Sequence, residues 1–407
     1  MRRYVIVGTG NRALFMFAKR IRQEKFQNDA VIVGVYDSNP ARAKIFSAEC
    51  GNPTVYTDFD VMLKESRADV VIVTTVDAFH HEYIIRAMKA GCDVISEKPM
   101  TTDAAKCRAI LSAERETGRR LQVTFNMRYM PYTSRVKEML DQKLIGDIMH
   151  VDLRWRLDKR HGADYFRRWH REMKNSGSLL IHKSTHHFDL VNWWLGEHPV
   201  AVNAMGNRQF YGPTREERGE RCLTCKHQKS CEFYWDLRAD EACSMLYLQA
   251  EGEDGYYRDG CVFDEKIDIY DTMSVQVEYE NRALLSYSLI AYSPYEAWSV
   301  AITGTKGRIE AGEFYSGLES EKTTQEIRLY DANGEEYVRT FPKAKGTHGG
   351  GDERLIEEMI FGFDEDPLGR EASSLDGAYS LLIGAAGNKS ITEQRRIDLR
   401  TLLEEKE

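Results

Sequence analysis

Through its first third the chain alternates two patterns of apolar and polar residues. Short runs rich in β-branched residues, "YVIV" (4–7), "AVIVGVYD" (30–37), "ADVVIVTT" (68–75), "DVISEKP" (93–99) and "RLQVTFN" (120–126), read as strands, with "TVYTDF" (54–59) extended. Between them "LFMFAKRIRQ", "ARAKIFSAEC", "DVMLKES", "HEYIIRAMKAG" and "TDAAKCRAILSAERETG" read as helices. Such alternation implies an α/β fold with a doubly wound parallel sheet, whose chemistry gathers at the C-terminal strand ends. Farther on, "IDIYDTMSVQVEYEN" (267–281) and "ALLSYSLIAYS" (283–293) imply a largely antiparallel sheet. The expected organisation is a parallel domain over 1–125 and an α+β domain over 126–407 with a large, mostly antiparallel open sheet.

One apolar segment breaks its own pattern. "LLIHKSTHHFDLVNWWLG" (179–196) reads as a helix over Ile181–Leu195, yet it holds three histidines, a lysine and an aspartate within eight residues. At helical spacing His182, His186, Asp189 and Trp193 share a stripe, and His187, Leu190, Val191 and Trp194 form the next, an ordinary core stripe. The first stripe carries groups that are costly to bury unless paired or used. It suits a metal site, an acid/base cluster facing a substrate, or a packing helix with surface histidines. A zincin needs a glutamate beside the first histidine, and Lys183 stands there.

The first strand runs into Gly8-x-Gly10-x-x-Ala13 and then a helix, the order of a dinucleotide-binding Rossmann unit. Gly8 permits the tight turn, Gly10 lets the backbone approach a pyrophosphate, and Ala13 allows close helix packing. The second strand ends in Asp37, where an acid binds the ribose 2'-hydroxyl and repels a 2'-phosphate; NAD is favoured over NADP. Three polar clusters stand at later strand ends: Thr74–His81, Glu97-Lys98-Pro99 and Phe125–Tyr129.

Composition narrows the rest. A net charge of -8 argues against nucleic acid as a partner, and no segment has the length of a membrane span. The basic start "MRRYVIVGTG" lacks the apolar core of a signal peptide, so a cytoplasmic protein with reduced thiols is expected. Among the eight cysteines, Cys222-x2-Cys225-x5-Cys231 has a knuckle-like spacing inside an apparent insertion at about 215–262. Cys261, or alternatively Cys243, could complete it. A structural zinc ion is the first expectation, an iron-sulfur cluster or free thiols the others.

With these residues in hand, the chain resembles the glucose-fructose oxidoreductase / inositol dehydrogenase / MocA (Gfo/Idh/MocA) family of NAD(P)-dependent oxidoreductases. "GTGNRA", "TTVDAFHHEYIIRAMKAGCDVISEKPM", "GSLLIHKSTHHFDLVNWWLG", "VAITGTKGRIE" and "SLLIGAAGNKSI" stand in family order. The resemblance implies that Lys98 is the catalytic lysine and His186 the catalytic histidine. His182 falls where the family usually has an aspartate, and would tune or share the proton of His186. The implied cofactor set is Gly8, Thr9, Gly10, Asn11, Arg12, Ala13, Asp37, Thr75, Asp77, His80, Glu97, Lys98 and Asn126. For the substrate it is Arg128, Tyr165, Trp169, His182, Asp189 and His348. Arg167, Arg168 and Arg171 could fork onto hydroxyls or a carboxylate. A homodimer or homotetramer joined through the second sheet is implied as well. The function expected is NAD-dependent hydride transfer from a secondary hydroxyl of a sugar, glycoside, sugar acid or inositol. The alternatives are a redox-cycling glycoside lyase or hydratase that works through a keto intermediate, and a catalytically silent NAD/sugar sensor.

Overall fold

A computed structural model describes residues 1–362 and 365–404. Strands β1 (Arg2–Val7), β2 (Ala30–Tyr36), β3 (Thr54–Tyr56), β4 (Val70–Val73), β5 (Asp93–Ser96) and β6 (Leu121–Val123) form one parallel sheet. Its order is β3-β2-β1-β4-β5-β6. The chain therefore reverses direction across the sheet between β1 and β4, and a crevice opens beyond the strand ends at that point. Every residue of β4 is buried, as expected of a strand covered by helices on both faces.

The second sheet holds β7 (Ile148–Asp158), β8 (Pro199–Asn207), β9 (Thr272–Tyr279), β10 (Leu284–Ser293) and β11 (Ala297–Gly304). It continues with β12 (Gly307–Phe314), β13 (Thr324–Asp331), β14 (Glu336–Pro342) and β15 (Ile397–Asp398). The order is β14-β13-β12-β11-β7-β10-β9-β8-β15, antiparallel except for the β7–β10 pair. Along β9 and β10 burial alternates with period two, so one face packs inward. Four helices matter below: α1 (Lys159–Arg167), α2 (Leu179–His182), α3 (Thr185–Leu195) and α4 (Ser374–Glu393). A Cβ on Gly384 of α4 would stand 2.4 Å from the Leu180 oxygen, so that glycine lets α4 lie directly on α2.

Two elements differ from the expected pattern. "IDIYD" does not extend β9: Asp271 turns inward and accepts hydrogen bonds from the amides of Gln209, Phe210 and Tyr211 at 3.0, 2.7 and 3.1 Å. The histidine segment is two helices, α2 and α3, with the break at Lys183 and Ser184. Between β8 and β9 lies the cysteine-bearing segment, built of turns, an isolated bridge pairing Arg221 with Gly260 and short helices within 237–254. Its Leu246 is fully buried in the hydrophobic cluster that contains Leu14, Phe17 and Phe46 of the parallel-sheet layer.

Candidate active site

A cavity of ≈ 670 Å³ opens at the C-terminal ends of β1, β2, β4 and β5. Gly8 and Gly10 through Arg12 line one end of it, and Lys98, His182 and His186 line the other. Gly8 has φ +86, and a Cβ there would stand 2.7 Å from the Thr74 and Thr75 backbone, so the turn admits only glycine. Thr9 faces away from the cavity: its amide and hydroxyl both donate to Asp37, at 2.6 and 2.9 Å. Ala13 is fully buried under the sheet. The Asn11 amide donates to the Tyr247 hydroxyl at 2.9 Å, and the buried Asn11 Oδ1 has no partner. The inserted segment thus lies over the glycine turn. It also meets Arg42, which donates to Asp254 at 2.7 Å and stands 3.4 Å from Asp37. An orphaned amide oxygen, a glycine turn closed to any Cβ and a carboxylate at the end of β2 fit a dinucleotide.

Deeper in, Lys98 Nζ donates to the His182 carbonyl at 3.0 Å. The break between α2 and α3 makes that acceptor available. In a continuous helix the His186 amide would take the His182 oxygen; here it bonds the Lys183 oxygen at 3.3 Å instead. Burial brings the Lys98 pKa down to about 8, with Asp77 and Glu97 opposing. Glu97 pairs with Arg12 at 2.6 Å, and His80 lies between the Pro99 and Thr75 oxygens at 2.9 and 3.1 Å.

His182 Nδ1 meets Asp77 Oδ2 at 2.6 Å. Burial, then the neighbouring His170, Lys98, Arg168 and Lys183, hold that imidazole well below its usual pKa, while burial holds the Asp77 carboxyl well above its own, so one proton lies between the two groups. His186 is likewise pushed well down by burial and by Lys98 and Lys183. Its Nδ1 is buried and has no hydrogen-bond partner. A neutral imidazole with a free ring nitrogen beside a lysine can accept a proton and leave a cation nearby to stabilise the oxyanion.

On the substrate side Tyr165, Trp169 and His348 line the cavity as expected. Arg168 joins them, while Arg167 is turned toward Cys222 and Arg171 toward Asp264. Three assigned residues lie elsewhere. Arg128 and Asp189 bind each other bidentately at 2.9 and 2.6 Å in the core, and Arg128 also reaches Asp376. Asn126 donates to Asp352 at 2.6 Å instead of reaching the cleft. In each case a buried polar group is satisfied by a partner remote in sequence.

Spacing also missed groups that the fold brings in. His161 bonds Glu296 at 2.9 Å and Tyr165 at 3.2 Å, and His170 stacks on Trp169 with centroids 3.6 Å apart. Both histidines line the cavity, and His170 Nδ1 has no partner. The only signal in the sequence was the density of histidine and aromatic residues in "RHGADYFRRWH" (160–170).

Cys222, Cys225, Cys231 and Cys261 line a separate small cavity, whereas Cys243 is buried outside it. Among the described residues no three His, Cys, Asp or Glu converge as ligands of one metal ion. The thiols take separate partners: Cys222 Sγ accepts from Arg167 at 3.0 Å, Cys231 Sγ from Arg215 at 3.0 Å and Cys225 Sγ from the His227 amide at 3.4 Å.

Comparison with known proteins agrees with this architecture. Residues 2–125 match the profile described as "Oxidoreductase family, NAD-binding Rossmann fold", and residues 137–399 match "Oxidoreductase family, C-terminal alpha/beta domain". The chain is 39% identical to YteT of Bacillus subtilis, named as an oxidoreductase, over 99% of both chains. It is 31% identical to an inositol 2-dehydrogenase of Rhizobium meliloti, over 43% of this chain and 51% of that one. A levoglucosan dehydrogenase solved with NADH and levoglucosan shares the fold, with a TM-score of 0.69 at 19% identity over 98% of this chain and 99% of that one.

Proposed function

Since this chain belongs to the Gfo/Idh/MocA oxidoreductase family, we propose that it transfers hydride from a secondary hydroxyl of a sugar, glycoside, sugar acid or inositol to NAD. The observation that carries this reading is the placement of Lys98, held on the His182 carbonyl, and the buried imidazole of His186 in one cleft with the glycine turn. Gly8, Gly10, Asn11, Arg12, Asp37, Asp77 and Glu97 would hold the cofactor, which when bound supplies a hydride acceptor. His186 takes the hydroxyl proton at the ring nitrogen that faces the cleft, and protonated Lys98 stabilises the developing alkoxide. His182 is held neutral against Asp77, which leaves the Lys98 cation at the reacting end without a competing imidazolium. Trp169 and Tyr165 give a ring-shaped substrate apolar faces to stack on.

NAD is preferred over NADP because two carboxylates, Asp37 and Asp254, surround the single guanidinium of Arg42. Their net negative charge disfavours a 2'-phosphate. The similarity to an inositol 2-dehydrogenase supports a cyclic polyol or sugar as the substrate class. By family resemblance the assembly is a homodimer or homotetramer, which light scattering measures directly.

One observation favours a second reading. The His161–Glu296 pair, bonded to Tyr165, is a further proton-handling group in the same cleft. It could remove a proton from the carbon beside an oxidised one, the step that redox-neutral glycoside elimination needs.

The test is NADH absorbance with NAD and a panel of sugars, glycosides and inositols, wild type beside Lys98→Ala. Signal lost in the variant supports the dehydrogenase. NAD binding without NADH, but with glycoside cleavage, moves the assignment to the elimination route. Binding with neither identifies a sensor.

A further inference from the structure

The substrate end of the cleft carries positive charge that the chain itself does not balance. Among the described residues the carboxylates lining the cleft are Asp37, Asp77, Glu97 and Asp254, and each is already engaged. Asp37 and Asp254 flank Arg42, Glu97 pairs with Arg12, and Asp77 shares a proton with His182. Two ammonium groups remain. Lys98 is held on the His182 carbonyl and belongs to the chemistry proposed above. Lys183 is left over.

Lys183 stands at the break between α2 and α3; it is only 8% exposed, yet it lines the cleft. Among the described residues its Nζ has neither a hydrogen-bond acceptor nor a carboxylate at ion-pair distance. Its neighbour is a ring: Nζ lies 4.8 Å from the centroid of Trp155 on β7. Such a contact offsets only part of the cost of burying an ammonium. Glu296 is near enough to oppose the lowering of the Lys183 pKa by burial, but both of its oxygens meet His161 Nδ1 at 2.9 Å.

Arg168 adds to the same wall. It pairs with Asp164 at 2.9 Å, and Asp164 also takes Arg258 at 2.6 Å, so two guanidiniums share one carboxylate. A buried ammonium that no anion of the chain matches is completed by an anion entering the cleft. The cofactor phosphates belong at the glycine turn, which lines the other end. A phosphate dianion on the substrate would call for several converging donors, whereas Lys183 offers one ammonium with Glu296 close by. A single carboxylate suits it.

We propose that Lys183 binds a carboxylate of the substrate, so that the ring oxidised in this cleft is a sugar acid, a hexuronic acid either free or as its glycoside. The inference rests on the reading that the cleft oxidises a ring hydroxyl, and it narrows the substrate of that reaction. Lys183 is close enough to Lys98 and His186 to push the pKa of both down. A carboxylate seated on it therefore stands near the reacting hydroxyl and offsets the Lys183 charge at both groups.

The test follows NADH formation with NAD and pairs of sugars that differ only in the group at C6. Glucuronate is set beside glucose and galacturonate beside galactose, each free and as the methyl glycoside, with glucose 6-phosphate as a third arm. The acid of each pair should show kcat/KM about ten- to a hundredfold higher, the worth of one charge-assisted hydrogen bond. In Lys183→Met that preference should vanish. Methionine keeps the unbranched chain and removes a buried charge, so the fold should be retained. Because Lys183 also acts on His186, the ratio of acid to neutral sugar is read rather than either rate. Wild-type protein that oxidises neutral sugars as well as acids overturns the carboxylate site and leaves the dehydrogenase standing. A preference that survives in Lys183→Met overturns the role of Lys183, and a preference for the 6-phosphate overturns the choice of a carboxylate. Calorimetry on the NAD-bound protein separates the site from the reaction. Uronate binding that weakens in Lys183→Met, with no NADH formed, keeps the site and overturns hydride transfer; absence of uronate binding to the wild type overturns the site.

Discussion

At the scale of single residues, the cleft turns on a half-buried lysine set among carboxylates and histidines. Lys98 is fully cationic below its pKa of about 8 and loses its charge as pH rises through that value. If the cation stabilises the alkoxide, kcat/KM should fall above about pH 8 with unit slope, while the neutral histidines give no acid limb near their ordinary range. A profile rising through pH 9 would show neutral Lys98 to be the active form. Replacing His186 by alanine should cost about a hundredfold to ten-thousandfold in kcat and leave the NAD dissociation constant nearly unchanged. Asp189→Ala makes the opposite prediction. It strips Arg128 of its bidentate partner in the core but leaves Asp376, so a loss of about 3 kcal/mol is expected, at the low end for a broken buried pair. Denaturant titration should register it, with kcat of the folded fraction unchanged; a collapse of kcat at full stability would return Asp189 to the substrate.

At the scale of elements, the inserted segment lies against the Rossmann turn. The Tyr247 hydroxyl occupies the Asn11 amide, one of the donors that a pyrophosphate would use. Tyr247→Phe should therefore tighten NAD by about two- to tenfold, the worth of one ordinary hydrogen bond no longer in competition. Fluorescence titration decides it, and weaker binding would mean that the hydroxyl serves the phosphates instead. The helices and strands of the parallel layer were legible because the chain there repeats one local pattern, apolar run then amphipathic run. His182 and His186 stood out because costly groups interrupt an apolar helix and Lys98 because it closes a buried strand between Glu97 and Pro99, while their roles came from the family resemblance. The partnership of Arg128 with Asp189 spans 61 residues and that of Asn126 with Asp352 spans 226, distances over which periodicity carries no information. The break between α2 and α3 escaped for another reason: "HKSTHH" has no proline or glycine, and tertiary hydrogen bonds decide it.

At the scale of the whole molecule, the cleft takes its walls from the parallel layer, from α1 to α3 and from the inserted segment at once. Anything that fills it should tie these parts together. NAD at about a hundred times its dissociation constant should add about 2.7 kcal/mol to unfolding. Calorimetry should show the thermal transition rising, and a transition unmoved by saturating NAD would mean that the cleft is not the cofactor site. The interrupted helix bears on how such a molecule can change over generations. Because Lys98 is fastened to a main-chain oxygen, its anchor survives any side chain at position 182. A change of side chain at position 182 could therefore alter what the cleft selects without setting the lysine adrift, so specificity could diverge while the reacting centre stayed in register.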